Sequence, residues 1–265
     1  MTGKRRARTK RVIAVIAGLV AAAALLGGCT MHALAPLPEA ASYQRVGVLS
    51  AMGDRFSIQE LGFTVFGNEY KAQNLPIGAD DIITAELKQS LAGRYTVVDL
   101  SQYRAAFMNA PKYWPGEQSL ISESRPEVTE VVRQLMGKEN LDAYVLVTPA
   151  YGAIGATNQA VAGIGILKFQ GVIRNNAYRL HALYIVSVID GHSYELTGHM
   201  RAFQNGESEA KALLFSGSAI RGPNVEVPGA WWDAPAGHED EIKAAFQQMM
   251  DQSIPQTLRD TKLVQ

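Results

Sequence analysis

The sequence predicts an α/β (α+β) fold, a mixed β-sheet with helices packed on it in a single domain, and three features carry that expectation. Short apolar runs bounded by glycine, aspartate or proline, as in 45–51, 95–100 and 142–149, read as strands. Between them, residues 80–92 and 126–137 repeat apolar side chains every three or four positions, the period of a helix with one buried stripe. Strands and helices alternate along the chain before a hairpin and a last helix, an order that suits an α/β sandwich.

Val46, Val48 and Leu49 make the first run apolar enough for a buried strand, and Gly53-Asp54 turns it. Residues 56–70 form a second β-like stretch, broken by Gly62 and Gly67. In 80–92, Ile83, Leu87 and Leu91 recur every four positions, Asp80 and Asp81 sit in the electropositive first turn, and Gly93 is the stop. A strand at 95–100 follows, then a segment to Leu120 rich in tyrosine, tryptophan and proline. Ser124-Arg125-Pro126-Glu127 reads as a capping box, in which serine hydroxyl and glutamate carboxylate accept from orphan amides. The helix it starts runs on Val128, Val131, Val132 and Leu135 to Gly137. Residues 142–149 suit a central strand, and a glycine-rich stretch from 152 to 171 comes next. Residues 178–189 and 194–203 read as a hairpin turned by Asp190-Gly191-His192-Ser193. In its second strand, Tyr194, Leu196, Met200 and Ala202 share a core face and Glu195, Thr197, His199 and Arg201 a wet one. Beyond a loop with Trp231 and Trp232, the helix 239–253 is carried by Ile242, Ala245, Phe246 and Met249.

Ahead of all this, Lys4, Arg5, Arg6, Arg8, Lys10 and Arg11 precede an uncharged apolar run of 15 residues, 12–26. A helix needs about 20 residues to cross the hydrocarbon core, so the run has the length of a secretion signal rather than a permanent span. Leu26-Gly27-Gly28-Cys29 follows, and Cys29 is the single cysteine of the chain. This tetrad resembles the lipobox of bacterial lipoproteins: an aliphatic residue, two small ones, and the cysteine that takes a diacylglycerol before cleavage. The resemblance implies a signal peptide over 1–28, lipidation of Cys29, and membrane attachment on the periplasmic side. A lone exported thiol has no partner for a disulfide, and lipidation accounts for it. Thr30, where aspartate favours inner-membrane retention in enteric bacteria, implies the outer membrane. Pro36 and Pro38 block helix in 29–42, which reads as an extended tether, leaving 43–265 as the periplasmic domain.

Loss of 1–28 removes six basic residues and no acid, so 19 basic residues face 25 acidic ones in the mature chain, a net charge of about −6. An acidic surface does not displace counterions from phosphates, which sets nucleic acid aside as a partner.

The pattern of Val46-Gly47-Val48-Leu49, the helix–strand units 84–100 and 130–148, and the hairpin through Val188-Ile189-Asp190-Gly191 resembles the periplasmic domain of the curli secretion channel lipoprotein CsgG. It resembles more loosely the amino-terminal domain of TolB and the activator lipoprotein LpoB. That group is non-enzymatic, so the resemblance implies an assembly, scaffold or docking role with envelope proteins or copies of itself, and a pore subunit as an alternative. In the channel, stretches matching 152–171 and 211–220 would lie at membrane hairpins.

Catalytic signals are few. Neither a Gly-x-Ser-x-Gly elbow nor a His-Glu-x-x-His helix occurs. His192 and His199, seven residues apart, fall on opposite faces of an extended strand and suit solvated histidines better than metal ligands. Gly152-Ala153-Ile154-Gly155 and Gly163-Ile164-Gly165 hint at phosphate loops, yet no acidic partner follows as dinucleotide sites require, and no cofactor is implied. The aromatic segment 103–114 could line a cleft in an enzyme or small-ligand binder, the runner-up. Trp231 and Trp232 are the candidates for partner contact, with capping of the core as the plainer role.

Overall fold

Val46 and Val48 point one way from the first strand and Leu49 the other, and all three are fully buried. Both faces of that strand are therefore covered. The computed structural model describes residues 42–61, 68–110, 126–153, 160–169, 176–202, 220 and 222–264. Cys29, the lipobox and most of the expected tether lie outside them. The elements are β1 (Arg45–Ser50), β2 (Arg55–Leu61), β3 (Glu69–Asn74), α1 (Ala79–Leu91), β4 (Thr96–Asp99), α2 (Arg104–Met108), α3 (Pro126–Met136), β5 (Ala143–Pro149), β6 (Tyr151–Ala153), β7 (Ala160–Ala162), β8 (Ile164–Phe169), β9 (Ala177–Ala182), β10 (Tyr184–Asp190), β11 (Leu196–Arg201), β12 (Asn224–Glu226), α4 (Gly229–Asp233) and α5 (Glu239–Asp260). The class is mixed α/β, as the alternation of elements predicts. Among the described residues no helix is long and apolar enough to cross a membrane.

The first sheet has the order β11-β10-β5-β1-β4, with β1 parallel to β4 and β5, and β10 antiparallel to β5 and β11. The crossover from β1 to β4 places α1 on one face, and the return across β1 to β5 places α2 and α3 on the other. Opposite steps over opposite faces keep both crossovers of one hand. Alternate residues of β5 divide between the layers: Ala143, Val145 and Val147 join α1 and α5, while Tyr144 and Leu146 join Phe107 and Val132. The sequence places β5 as a central strand, and it is the middle one. A parallel strand buried on both faces reads as a continuous apolar run, which is why 142–149 was legible.

The second sheet runs β12-β9-β8-β2-β3, and β6 and β7 form a separate pair. Its inner face contributes Phe56, Ile164, Ile166 and Leu180 to the same core as the first sheet, α1 and α5. Gly165 of the suggested phosphate loop sits in β8 opposite Ser57, where a Cβ would overlap the Ser57 backbone. Its smallness serves strand packing.

Several expectations need correction. Residues 178–189 are two strands in different sheets, broken at Leu183. Its amide donates to Gly163 O at 2.8 Å and its carbonyl accepts from Ala150 N at 2.9 Å. No glycine or proline marks that hand-over, so an apolar run without punctuation reads as one strand. The last helix continues past Ser253 through Pro255 to Asp260, because Ile254 and Leu258 are fully buried and outweigh the hydrogen bond the proline removes. The expected wet face of β11 is only partly wet: Glu195 is exposed and His199 and Arg201 are half-buried, but Thr197 is buried and donates to Val188 O at 3.2 Å, and His199 Nδ1 lies 3.0 Å from Ser187 Oγ. A register shift at Val188/Ile189 breaks the simple alternation assumed there. The stretch 56–70, read as broken at Gly62 and Gly67, holds β2 and the start of β3, as expected. Ser124 of the capping box falls outside the described residues.

His181, in β9, is fully buried, with Nδ1 3.2 Å from Gly163 O. Burial pushes its imidazole down to about 4. The unfolded chain therefore takes the proton first as pH falls, and stability is lost between about pH 6.5 and pH 4. On this group alone, urea unfolding should show about 2 kcal/mol less stability at pH 5 than at pH 7.5. A His181→Asn variant should lose that share of the slope; an equal slope in both proteins would refute the assignment.

Candidate functional site

In open α/β sheets, ligands bind beyond the carboxyl ends of the strands, where successive connections leave to opposite faces. Here that point lies between β1 and β4, and the chain fills it with its own groups. Asp80, in the first turn of α1, accepts from Ser50 Oγ at 2.6 Å, Met52 N at 2.7 Å and Gly53 N at 3.0 Å. Arg104, opening α2 after β4, donates from Nε to Ser50 O at 3.0 Å and from Nη1 to Asp81 Oδ1 at 3.0 Å. Its Nε also stands 3.7 Å from Asp80 Oδ2. The sequence gives Asp80 and Asp81 only a helix-dipole role. The contacts that Asp80 makes join residues 27 to 30 apart, and no local pattern announces them.

A more open arrangement lies at the second sheet. Trp231 and Trp232 stand on the short helix α4, both half-buried and packed against the main core. Trp232 meets Tyr178 of β9 at 6.3 Å between ring centroids, and Lys168 Nζ of β8 stands 5.7 Å from the Trp232 ring centroid. Lys168 in turn binds Glu60 Oε1 of β2 at 2.9 Å. That hydrogen bond holds the ammonium above its ordinary range. Beside this cluster is a cleft of about 290 Å³ lined by Ile58, Glu69, Lys71, Gln73, Trp232 and Asp233. Gln73 Nε2 is buried there with no hydrogen-bond partner. The cleft thus offers an aromatic wall, a free amide donor and a charged rim, which suits recognition by shape and charge.

The two roles weighed for the tryptophans coexist in Trp232, which packs on the core and walls the cleft. Trp231 instead turns toward His238, at 6.4 Å between ring centroids. Sequence reasoning missed Lys168, Glu60 and Gln73, which meet Trp232 only through sheet pairing.

The remaining candidates do not converge. His192 is exposed, 3.9 Å from Asp142 Oδ1, whereas His199 lies against Ser187. Among the described residues no three His, Cys, Asp or Glu side chains are grouped to hold a metal. In the aromatic segment 103–114, Phe107 is fully buried and the Tyr103 hydroxyl donates to Glu139, so its described part joins α2 to α3. Residues 111–114 lie outside the described residues. So do 154–159, 170–171 and 211–219 of the stretches that the channel resemblance places near the membrane. The described parts of 152–171 are strands β6, β7 and β8.

No family model and no curated protein matches the chain. A hypothetical protein from Chlamydia trachomatis, of solved structure, is similar over 79% of this chain and 98% of its own, with 12% identity and a TM-score of 0.25.

The Asp80 cluster gives a direct test. Asp80→Asn leaves one acceptor oxygen for three donors, and urea unfolding should show a loss of about 2 kcal/mol. Asp81→Asn, at an exposed carboxylate, should change stability by less than about 0.5 kcal/mol. Equal effects would show that the three hydrogen bonds to Asp80 do not carry the crevice.

Proposed function

We propose that this chain is a cell-envelope lipoprotein, anchored through a diacylglycerol on Cys29 to the periplasmic face of the outer membrane, whose α/β domain docks partner proteins without catalysis. The observation that carries the anchor is Leu26-Gly27-Gly28-Cys29 placed directly after a basic segment and an uncharged run too short for a stable span. The way the domain begins supports it. Asp142 Oδ2 accepts from the amides of Gln44 and Arg45, both at 2.8 Å, and Tyr43 donates to Asp190 Oδ2 at 3.0 Å. Those contacts clamp the chain at the residues where the expected tether ends, so a pull on the tether would be taken up by the first sheet.

The docking role is supported by the contrast between the two sites. The crevice where α/β enzymes bind substrates is occupied by Asp80 and Arg104. The cleft at Trp232 combines an aromatic face with charges, the composition that concentrates binding energy at protein interfaces.

Intact mass and membrane fractionation of the native protein beside Cys29→Ser test the anchor. A lipid-sized increment and membrane recovery, both lost in the variant, are expected; an unlipidated native protein would end this reading. For docking, Trp232→Ala should lower recovery of envelope partners in a pull-down by about tenfold, a loss of about 1.4 kcal/mol, while thermal unfolding stays cooperative. Trp231→Ala, away from the cleft, should lower it less. Unchanged recovery with Trp232→Ala would remove the cleft from the docking role.

A further inference from the structure

Strand β3 is the edge of the second sheet, and five of its six residues are exposed, with Gln73 half-buried. Tyr70 is 56% exposed, the most exposed large hydrophobic side chain among the described residues. A strand in this state gains little from the core and, among the described residues, keeps one row of backbone donors and acceptors open. Which residues supply that row follows from the register. Arg55 lies opposite Asn74, and the next step is closed by Leu75 N donating to Asp54 O at 3.0 Å. In an antiparallel ladder, residues 69, 71, 73 and 75 therefore turn their backbone groups to β2, and Tyr70, Ala72 and Asn74 turn theirs outward.

We propose that two copies of this chain pair edge to edge through β3, antiparallel and centred on Tyr70, making one continuous sheet of their second sheets. The proposal rests on the docking reading and names a second copy as one partner. Charge selects both the partner and the register. Centred on Tyr70, Tyr70 meets Tyr70 as a hydrogen-bonded pair, and Glu69 faces the partner's Lys71 on both sides of the axis, in the closer non-hydrogen-bonded pairs. Centring on Lys71 opposes two lysines, and centring on Glu69 opposes two glutamates, both unfavourable. Centring on Ala72 puts Lys71 against Gln73 and loses both ion pairs. In the single chain, Lys71 and Glu69 have each other at 4.0 Å on one face of the strand, with side chains 76% and 65% exposed, so both are available to exchange partners. Charges on an edge strand ordinarily repel indiscriminate pairing; here they admit one self-complementary arrangement. The interface is small, and attachment of both copies to one membrane surface would raise its effective concentration.

The test uses the full chain purified in detergent. Paired Tyr70 positions stand about 5.5 Å apart at Cα, within the range of a disulfide. Under copper–phenanthroline oxidation, Tyr70→Cys should cross-link at least tenfold faster than Val225→Cys, placed on the opposite edge strand β12 in the same background. Adding Lys71→Glu or Glu69→Lys should slow that cross-linking at least fivefold, and the double exchange Glu69→Lys with Lys71→Glu should restore it. Equal rates at Tyr70 and Val225, or a double exchange no faster than the singles, would overturn the proposal. Because the readout is from purified protein, it fails independently of partner recovery through Trp232.

Discussion

The fold depends on burying both faces of the three parallel strands β4, β1 and β5. Parallel pairing needs long crossovers, and those crossovers supply the helices that cover the faces. Close packing follows at Gly47 in the centre of β1, where a side chain would run into Leu100 and Leu141. α1 and α5 close one side through Ile83, Leu87, Phe246 and Ile254, and α2 and α3 close the other through Phe107, Val132 and Met136. Fully burying one such side chain contributes roughly 1.5–3 kcal/mol, so these layers outweigh any surface ion pair in the molecule.

What was legible in the sequence was what this constraint writes into short windows. β1, β5, α1 and α3 each bury a continuous run or a regular stripe, and their positions could be read to within a few residues. What was not legible depends on where the chain goes next. Leu183 separates two sheets without a breaker residue, Pro255 is carried inside a helix by buried neighbours, and the β10–β11 register shift moves Thr197 to the interior. In each case tertiary packing overrode a local rule. The site followed the same division: Trp231 and Trp232 stand out in composition, whereas Lys168 and Gln73 reach Trp232's surroundings only because β8, β2 and β3 lie side by side.

Closing the crevice beyond β1 and β4 has an electrostatic logic. A carboxylate as buried as that of Asp80 is costly unless its oxygens accept hydrogen bonds, and two backbone amides and one hydroxyl meet that need. Arg104 then ties the loop after β1 to the segment after β4. The loop ends that α/β enzymes leave free to approach a substrate are here bound to each other.

The second sheet behaves in the opposite way. Among the described residues, Gln59 Oε1, Gln73 Nε2, Arg179 Nε and His181 Nε2 are buried side-chain atoms without hydrogen-bond partners, and all four belong to its strands β2, β3 and β9. Buried polar groups in folded proteins are nearly always paired, so four in one sheet are a cost that the first sheet does not share to that extent. The same sheet carries the cleft at Trp232 and the open edge at β3. The two sheets thus differ in kind among the described residues: the first is closed by apolar layers and a satisfied carboxylate, while the second retains unpartnered donors and acceptors and an edge strand at β3. Substitutions at the buried positions of the first sheet should therefore cost more stability than those on the exposed strand β3.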